Sequence, residues 1–248
     1  MAINRKTEII VNEDLLRKIV YCIDKAIGDD VQQHLREYHL ETNNAIMFLR
    51  GDYINSNLKT HVVKDEVDLV PFKRYGWSGR LVIDRKNHIT YSIMTEGTLA
   101  LIPKKKNRET PHYLQSVLFV ENQDCIAKEK QMTLEDYGIT IFDNTVLEQD
   151  YAKISQGLID MEEGYKHYVI AYNAEHGEIK DIKLKFFDKD FNIVDVKSLM
   201  NFIRPDFAKL TEADDIEKNV AGTTKDKKGL VAIRSGIKPK LRTMEKKA

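Results

Sequence analysis

The chain has 248 residues, of which 42% are hydrophobic and 31% are charged, and its Lys and Arg balance its Asp and Glu at 39 each. This is enough apolar sequence for a sizeable core, and two widely spaced cysteines, Cys22 and Cys125, exclude a CxxC metal site and a disulfide framework. The first ten residues lack the apolar stretch of a secretion signal, and no run reaches the roughly 18 apolar residues of a membrane helix. We therefore expect a cytoplasmic protein without membrane contact.

Helical patterning dominates the beginning of the chain, residues 12–56. Asn12 can cap a helix, because its side chain can accept a free backbone N–H of the first turn. Apolar residues then recur at helical spacing as far as Ile27, and Gly28 is expected to end the helix. Two further helices are predicted, the second over residues 42–49.

A sheet-rich region is predicted over residues 60–121. Residues 80–84 and 88–94 are rich in strand-forming side chains and flank a short polar turn, so they predict a β-hairpin. A third strand is expected over residues 98–102. Residues 114–120 form either a buried strand or a short helix, because periodicity does not separate the two for so short an apolar run.

The last part of the chain divides into a mixed region, residues 132–205, and a tail. A hairpin over residues 167–187 and a short helix over residues 197–203 complete a single domain of residues 1–210. Its fold class is α+β, with N-terminal helices and a central, mostly antiparallel sheet. The tail, residues 211–248, is predicted to be flexible and basic, because it is polar and poor in core-forming side chains.

Positive charge is concentrated in two places. Residues 218–248 carry ten Lys and Arg against two Asp and Glu, and residues 73–112 carry nine against three. In the second stretch aromatic residues alternate with the basic ones, which is typical of single-stranded nucleic-acid binding by phosphate attraction and base stacking. The alternative is a set of solvated strand edges, where Lys discourages edge-to-edge pairing. The candidate binding residues are Lys73, Arg74, Tyr75, Trp77, Arg80, Lys104, Lys105, Lys106 and Arg108.

Candidate catalytic residues are few. Asp68, followed by Asp84 and Lys86, has the spacing of a metal-dependent nuclease, in which two carboxylates hold Mg²⁺ and a lysine stabilises developing charge. The alternative is that Asp84 and Lys86 only form the hairpin turn. His112 lies beside the basic stretch and can serve as general acid or base in metal-free RNA cleavage, since it titrates near neutrality. Alternatively, His112 is a hydrogen-bonded loop residue. No cofactor or metal-site signature is present in the sequence.

Three segments carry a resemblance to a known group: NNAIMFLRGDYINSNL at 43–58, FKRYGWSGRLVID at 72–84 and PHYLQSVLF at 111–119. They resemble small bacterial toxins encoded beside regulators that join an Xre-type helix-turn-helix to an ImmA/IrrE-type domain. This group is similar to the Rosmer-type systems and is described as protease-sensitive. The resemblance implies a cytoplasmic toxin that an antitoxin protein holds inactive. It carries over no catalytic residue.

Three functions therefore stand open. The first is a toxin that acts on nucleic acid or translation. The second is a non-enzymatic phage or mobile-element protein that inhibits a host partner, with Tyr75 or Trp77 as an interface anchor. The third is the metal-dependent nuclease. Steep salt dependence of RNA or DNA binding separates the first from the second.

Overall fold

The computed structural model describes residues 11–39, 41–42, 44–74, 76–103, 108–125 and 142–203. The α-helices are α1 (Glu13–Lys25), α2 (Val31–Glu37), α3 (Ile46–His61), α4 (Glu96–Leu101), α5 (Tyr113–Glu121) and α6 (Asn144–Ser155). A π-helical turn, Ala26–Asp30, joins α1 to α2, and short 3-10 turns lie at Met161–Glu163 and Met200–Phe202. The strands are β1 (Val67–Arg74), β2 (Trp77–Asp84), β3 (Ile89–Thr95), β4 (Lys166–Glu175), β5 (Glu178–Phe187) and β6 (Ile193–Ser198).

One six-stranded sheet, with its strands in chain order from β1 to β6, organises the fold. β1, β2 and β3 form one antiparallel meander, and β4, β5 and β6 form a second. Parallel pairing of β3 with β4 joins the two meanders. Parallel neighbours need a crossover connection, and the chain between these strands carries α4, α5 and α6. The predicted α+β class with a mostly antiparallel sheet is confirmed.

Helices cover both faces of the sheet. On the first, which we call the α1 face, α1 and α3 pack over buried side chains such as Tyr91 and Ile170. On the second, the α5 face, α4, α5 and α6 pack over Leu81 and Val169. Because side chains alternate along a strand, neighbouring residues of one strand enter different cores. No described helix combines the length and the apolar character needed to cross a membrane.

The predicted start of α1 is confirmed, but its predicted end is wrong. The Asn12 side chain accepts a backbone N–H of the first turn at 3.1 Å. Gly28 does not stop the helix, because it lies in the π-helical turn that leads into α2. Asn57 of α3 donates to the Cys22 carbonyl at 3.3 Å and to the Asp30 carboxylate at 2.7 Å. These bonds hold the turn against α3.

Both predicted hairpins are confirmed, β2 with β3 and β4 with β5. The second turns at His176 and Gly177, which both have the positive φ that a tight two-residue hairpin turn requires.

Three other local predictions need correction. Residues 98–102, predicted as a strand, belong to α4 and its C-terminal end, because the Thr95 side chain caps a helix by accepting the Thr98 N–H at 3.2 Å. α3 runs on to His61, well beyond residue 49. The helix predicted over residues 197–203 is only a 3-10 turn, because its first two residues belong to β6.

The choice between strand and helix that the sequence left open at residues 114–120 is decided by the structure, in which these residues belong to helix α5. The predicted tail, residues 211–248, lies outside the described residues.

Candidate functional site

An open groove of about 370 Å³ lies between α3 and the start of β2. Three large apolar side chains line it although they are well exposed: Met47 at 79%, Phe48 at 69% and Trp77 at 45%. Contiguous exposed apolar surface often marks an interaction site. We call this feature the Trp77 groove. Its lining also includes Gly51, Asp52, Ile54, Arg80, Tyr113 and Tyr172.

Aromatic packing holds Trp77 at the groove. Its ring stacks on Tyr113 with centroids 5.7 Å apart and meets Phe72 edge-on at 5.5 Å. Gly79 makes this packing possible, because a Cβ there would lie 2.5 Å from the Phe72 ring and 2.6 Å from the indole. The indole therefore presents a fixed, half-exposed surface to the groove.

The described residues of the predicted basic face do not all lie on one side of the sheet. Strand alternation turns Lys73 and Arg80 toward the α1 face, whereas Arg74 and Trp77 project on the α5 face. Arg74 is ion-paired with Asp150 of α6, a buried carboxylate. Among the described members of the predicted set, Trp77 and Arg80 line the groove, and Lys73 is exposed on β1.

Of the other predicted binding residues, the structure describes Arg108 alone. Arg108 is half-buried and donates to the Ile102 carbonyl at 3.3 Å. Partial burial lowers the pKa of its guanidinium below the usual value. Tyr75, Lys104, Lys105 and Lys106 lie outside the described residues.

Asp68, Asp84 and Lys86 do not assemble the predicted nuclease site. The β1–β2 register places the two carboxylates on opposite faces of the sheet, so they do not converge on one ion. Asp68 accepts from Arg85 Nε at 2.5 Å. Asp84 holds the hairpin turn that contains Lys86, because it accepts the Asn87 N–H at 3.2 Å and side-chain amide at 2.7 Å. Among the described residues, no three His, Cys, Asp or Glu side chains meet where they could hold a metal ion.

His112 is the N-cap of α5. Its Nδ1 accepts the Leu114 N–H at 3.2 Å, and its own backbone N–H donates to Gln115 Oε1 at 2.8 Å. These reciprocal bonds form a capping box and require an unprotonated Nδ1. The observed contacts give His112 a structural role, and its acid–base role stays a prediction.

A second polar feature is buried on the α5 face between the sheet and helices α5 and α6. His167 of β4 lies with Nδ1 2.7 Å from the Thr90 hydroxyl and Nε2 2.9 Å from the Ser92 hydroxyl. Thr90 also hydrogen-bonds the Glu121 carboxylate. The hydroxyl of Tyr151 donates to the other Glu121 oxygen at 2.8 Å. We call these five residues the Glu121 network.

Burial dominates the electrostatics of the Glu121 network. It raises the pKa of Glu121 to about 7, although the hydrogen bonds from Thr90 and Tyr151 favour the ionised form. It lowers the pKa of His167 to about 3. The imidazole is therefore neutral and does not form an ion pair with the Glu121 carboxyl. Instead, the Thr90 hydroxyl hydrogen-bonds both groups and links them.

A pocket of about 220 Å³ opens beside Glu121. Lys166 lines it, donating to the Glu121 backbone carbonyl at 3.2 Å and pairing with Asp124. Tyr151 lines the same pocket, so the Glu121 network ends at a solvent-accessible space.

Sequence reasoning missed the Glu121 network entirely. Thr90 and His167 are 77 positions apart, and no motif spacing links them. The one local signal is the alternation of polar and apolar residues along β3, which places Thr90 and Ser92 on one side of the strand. The structure covers that side with helices, and the polar side chains pair with one another instead.

These features define an α+β protein with a six-stranded sheet between two helical layers and an open apolar groove. The chain belongs to the DUF5986 family, described as a family of unknown function, whose model matches residues 8–248. No curated protein and no solved structure matches the chain.

Proposed function

We propose that this protein is the toxin component of a bacterial toxin–antitoxin pair and that the Trp77 groove binds a protein partner, the antitoxin. The observation that carries the proposal is the exposure of Met47, Phe48 and Trp77 in one groove. Aromatic and Met side chains are enriched at the centres of protein interfaces, and burying them supplies much of the binding energy.

The three segments that resemble the toxin group all contribute side chains to the Trp77 groove. Residues 43–58 contribute Met47 and Phe48, residues 72–84 contribute Trp77, and residues 111–119 contribute Tyr113. The segments are distant in the chain but line one groove. A shared binding surface accounts for this coincidence.

The lining of the groove favours a protein over a polyanion. Asp52 and Arg80 both line it, so it carries charges of opposite sign. Mixed charge around an apolar centre is typical of protein interfaces, whereas a phosphate backbone is attracted by basic surfaces. We therefore propose an apolar segment of the antitoxin as the occupant.

Single-stranded nucleic acid is a second candidate ligand. The observation that favours it is the half-exposed indole of Trp77 on the same strand as Arg80, because bases stack on aromatic rings while guanidinium groups attract phosphate. Nucleic-acid binding would weaken steeply with added salt, whereas an apolar protein contact would change little.

Growth after induction tests the proposal. The chain alone is expected to arrest a bacterial host, and co-expression of the neighbouring regulator is expected to relieve the arrest. The double variant Met47→Ser/Phe48→Ser is expected to bind the regulator less well. It is therefore expected to arrest growth even when the regulator is co-expressed. Leu101→Ser is the matched control, since Leu101 of α4 is 65% exposed and lies outside the groove lining. Absence of arrest contradicts the toxin function, and equal behaviour of the two variants contradicts the role of the groove.

A further inference from the structure

The two edges of the sheet are built differently. β1, at one edge, contains Pro71, which has no N–H to offer another strand, and the Pro71 carbonyl accepts from the side chain of Gln156. β6, at the other edge, contains no proline, and all six of its residues are exposed. Three of them are apolar and β-branched: Ile193, Val194 and Val196. Exposed edges of this kind are templates for pairing with another strand.

The backbone of β6 shows which groups face outward. The Leu199 N–H donates to the Ile182 carbonyl of β5 at 2.9 Å, so the backbone N–H and C=O groups of Leu199 face β5. Backbone direction alternates along an antiparallel strand, so Asp195 and Lys197 also point toward β5. The Val196 N–H faces the other way, and it donates to the Asp195 side chain at 2.9 Å. Val196 and Ser198 therefore turn their backbone groups toward the edge of the sheet, where no described strand pairs with them.

Among the registers centred in the middle of β6, at Asp195, Val196 or Lys197, the charges favour one pairing with a copy of itself. If two β6 strands pair antiparallel around a twofold axis at Val196, Asp195 of each copy faces Lys197 of the other. An axis at Asp195 would face two carboxylates, and an axis at Lys197 would face two ammonium groups. The axis at Val196 also pairs residues whose backbone groups point outward, as a hydrogen-bonded ladder requires. Opposite charges directly across a strand pair stabilise it, and like charges destabilise it.

We propose that two copies of this protein pair through β6, antiparallel and centred on Val196, to form a continuous twelve-stranded sheet in the dimer. Lys197 already pairs with Glu13 of α1 at 2.7 Å. In the dimer the ammonium lies between that carboxylate and Asp195 of the second copy. In the dimer the Val196 N–H no longer donates to the Asp195 side chain. It donates instead to the backbone of the second copy's β6 strand. This surface is separate from the Trp77 groove, so the proposal does not depend on the proposed function.

Analytical ultracentrifugation of the full chain over a wide range of concentrations tests the pairing. We expect a reversible dimer in the wild type. Asp195→Lys alone and Lys197→Asp alone each place like charges opposite one another twice, so each is expected to raise the dimer Kd by about tenfold or more. The double swap Asp195→Lys/Lys197→Asp restores opposite charges and is expected to recover most of the affinity. Lys153→Asp on the exposed side of α6 controls for the change in net charge.

Val196→Pro is a second, independent variant. It removes an outward N–H while leaving the bonds to β5 in place, so it is expected to abolish the dimer without unfolding the monomer. A wild type that stays monomeric at every concentration overturns the proposal. So does a dimer that tolerates both single charge reversals, or a double swap that is no better than either single change.

Discussion

The Nδ1 atom of His167 lies 3.7 Å from Oε2 of Glu121, and both contact the hydroxyl of Thr90. A hydroxyl donates only one hydrogen bond, so the direction of this chain depends on the proton of Glu121. When the carboxyl is ionised, Thr90 donates to it and accepts from a protonated Nδ1. When the carboxyl is protonated, it donates to Thr90, which then donates to a bare Nδ1.

The first prediction concerns the ring tautomer of His167. Because the pKa of Glu121 is raised to about 7, we expect the imidazole proton to move from Nε2 to Nδ1 as pH rises through that value. The ring itself stays neutral, since burial lowers its pKa to about 3. ¹⁵N chemical shifts of the ring measure this directly. In Glu121→Gln the tautomer should no longer respond to pH, and a ring that gains a positive charge near pH 6.5 would contradict the scheme.

The second prediction concerns stability as a function of pH. Glu121 has a folded-state pKa raised from 4.5 to about 7, so its contribution is complete below pH 4.5 and is lost as pH rises to about 7. His167 has a folded-state pKa lowered from 6.5 to about 3, so its contribution is complete above pH 6.5 and is lost as pH falls. Between pH 4.5 and 6.5 the two slopes oppose one another, each at most about 1.4 kcal/mol per pH unit.

Urea unfolding at a series of pH values tests this opposition. Relative to wild type, Glu121→Gln should gain stability with rising pH between 4.5 and 6.5, because only the His167 slope remains. Glu148→Gln is the control, since Glu148 is an exposed carboxylate on α6. Identical pH profiles for wild type and Glu121→Gln would show that Glu121 titrates alike in the folded and unfolded chain.

The third prediction concerns the ion pair between Arg74 and Asp150. Arg74→Ala leaves a buried carboxylate without its cation, and we expect it to lower the free energy of unfolding by about 3 kcal/mol. Lys73→Ala, at the adjacent exposed position, should change stability by less than about 0.5 kcal/mol. Asp150→Asn in the Arg74→Ala background should recover part of the loss, because it removes the unpaired charge. Equal stability of the two alanine variants would mean that the pair contributes nothing.

The fourth prediction uses the single tryptophan of the chain as its reporter. Gly79→Ala places a Cβ 2.5 Å from the Phe72 ring and 2.6 Å from the indole of Trp77, so the rings must separate. We expect a loss of about 1–3 kcal/mol in stability and a change in Trp fluorescence as the indole shifts. Gly76→Ala is the matched control, because a Cβ there meets no atom of the described residues within 4 Å beyond its chain neighbours. Unchanged fluorescence in Gly79→Ala would show that Trp77 is not held by this packing.

Local signals allowed several elements to be predicted from the sequence. Asn12 followed by helical periodicity located the start of α1, and period-2 runs around short polar turns located the hairpins of β2 with β3 and β4 with β5. These predictions succeed because caps, turns and alternation act over a few neighbouring residues. The apolar run at residues 98–102 was wrongly predicted as a strand, since the cap at Thr95 outweighs its strand-like composition.

The sequence by itself determined the α+β class, the start of α1, the two hairpins of β2 with β3 and β4 with β5, and the aromatic and basic character of residues 72–121. Only the tertiary structure decided which of those side chains are accessible: it pairs Arg74 with Asp150, makes His112 a helix cap and opens a groove at Trp77. It also created the Glu121 network, because parallel pairing of β3 with β4 brings Thr90 beside His167. Contacts between residues so distant in the chain arise from strand order and helix packing, and these depend on the burial of both sheet faces at once rather than on any local pattern.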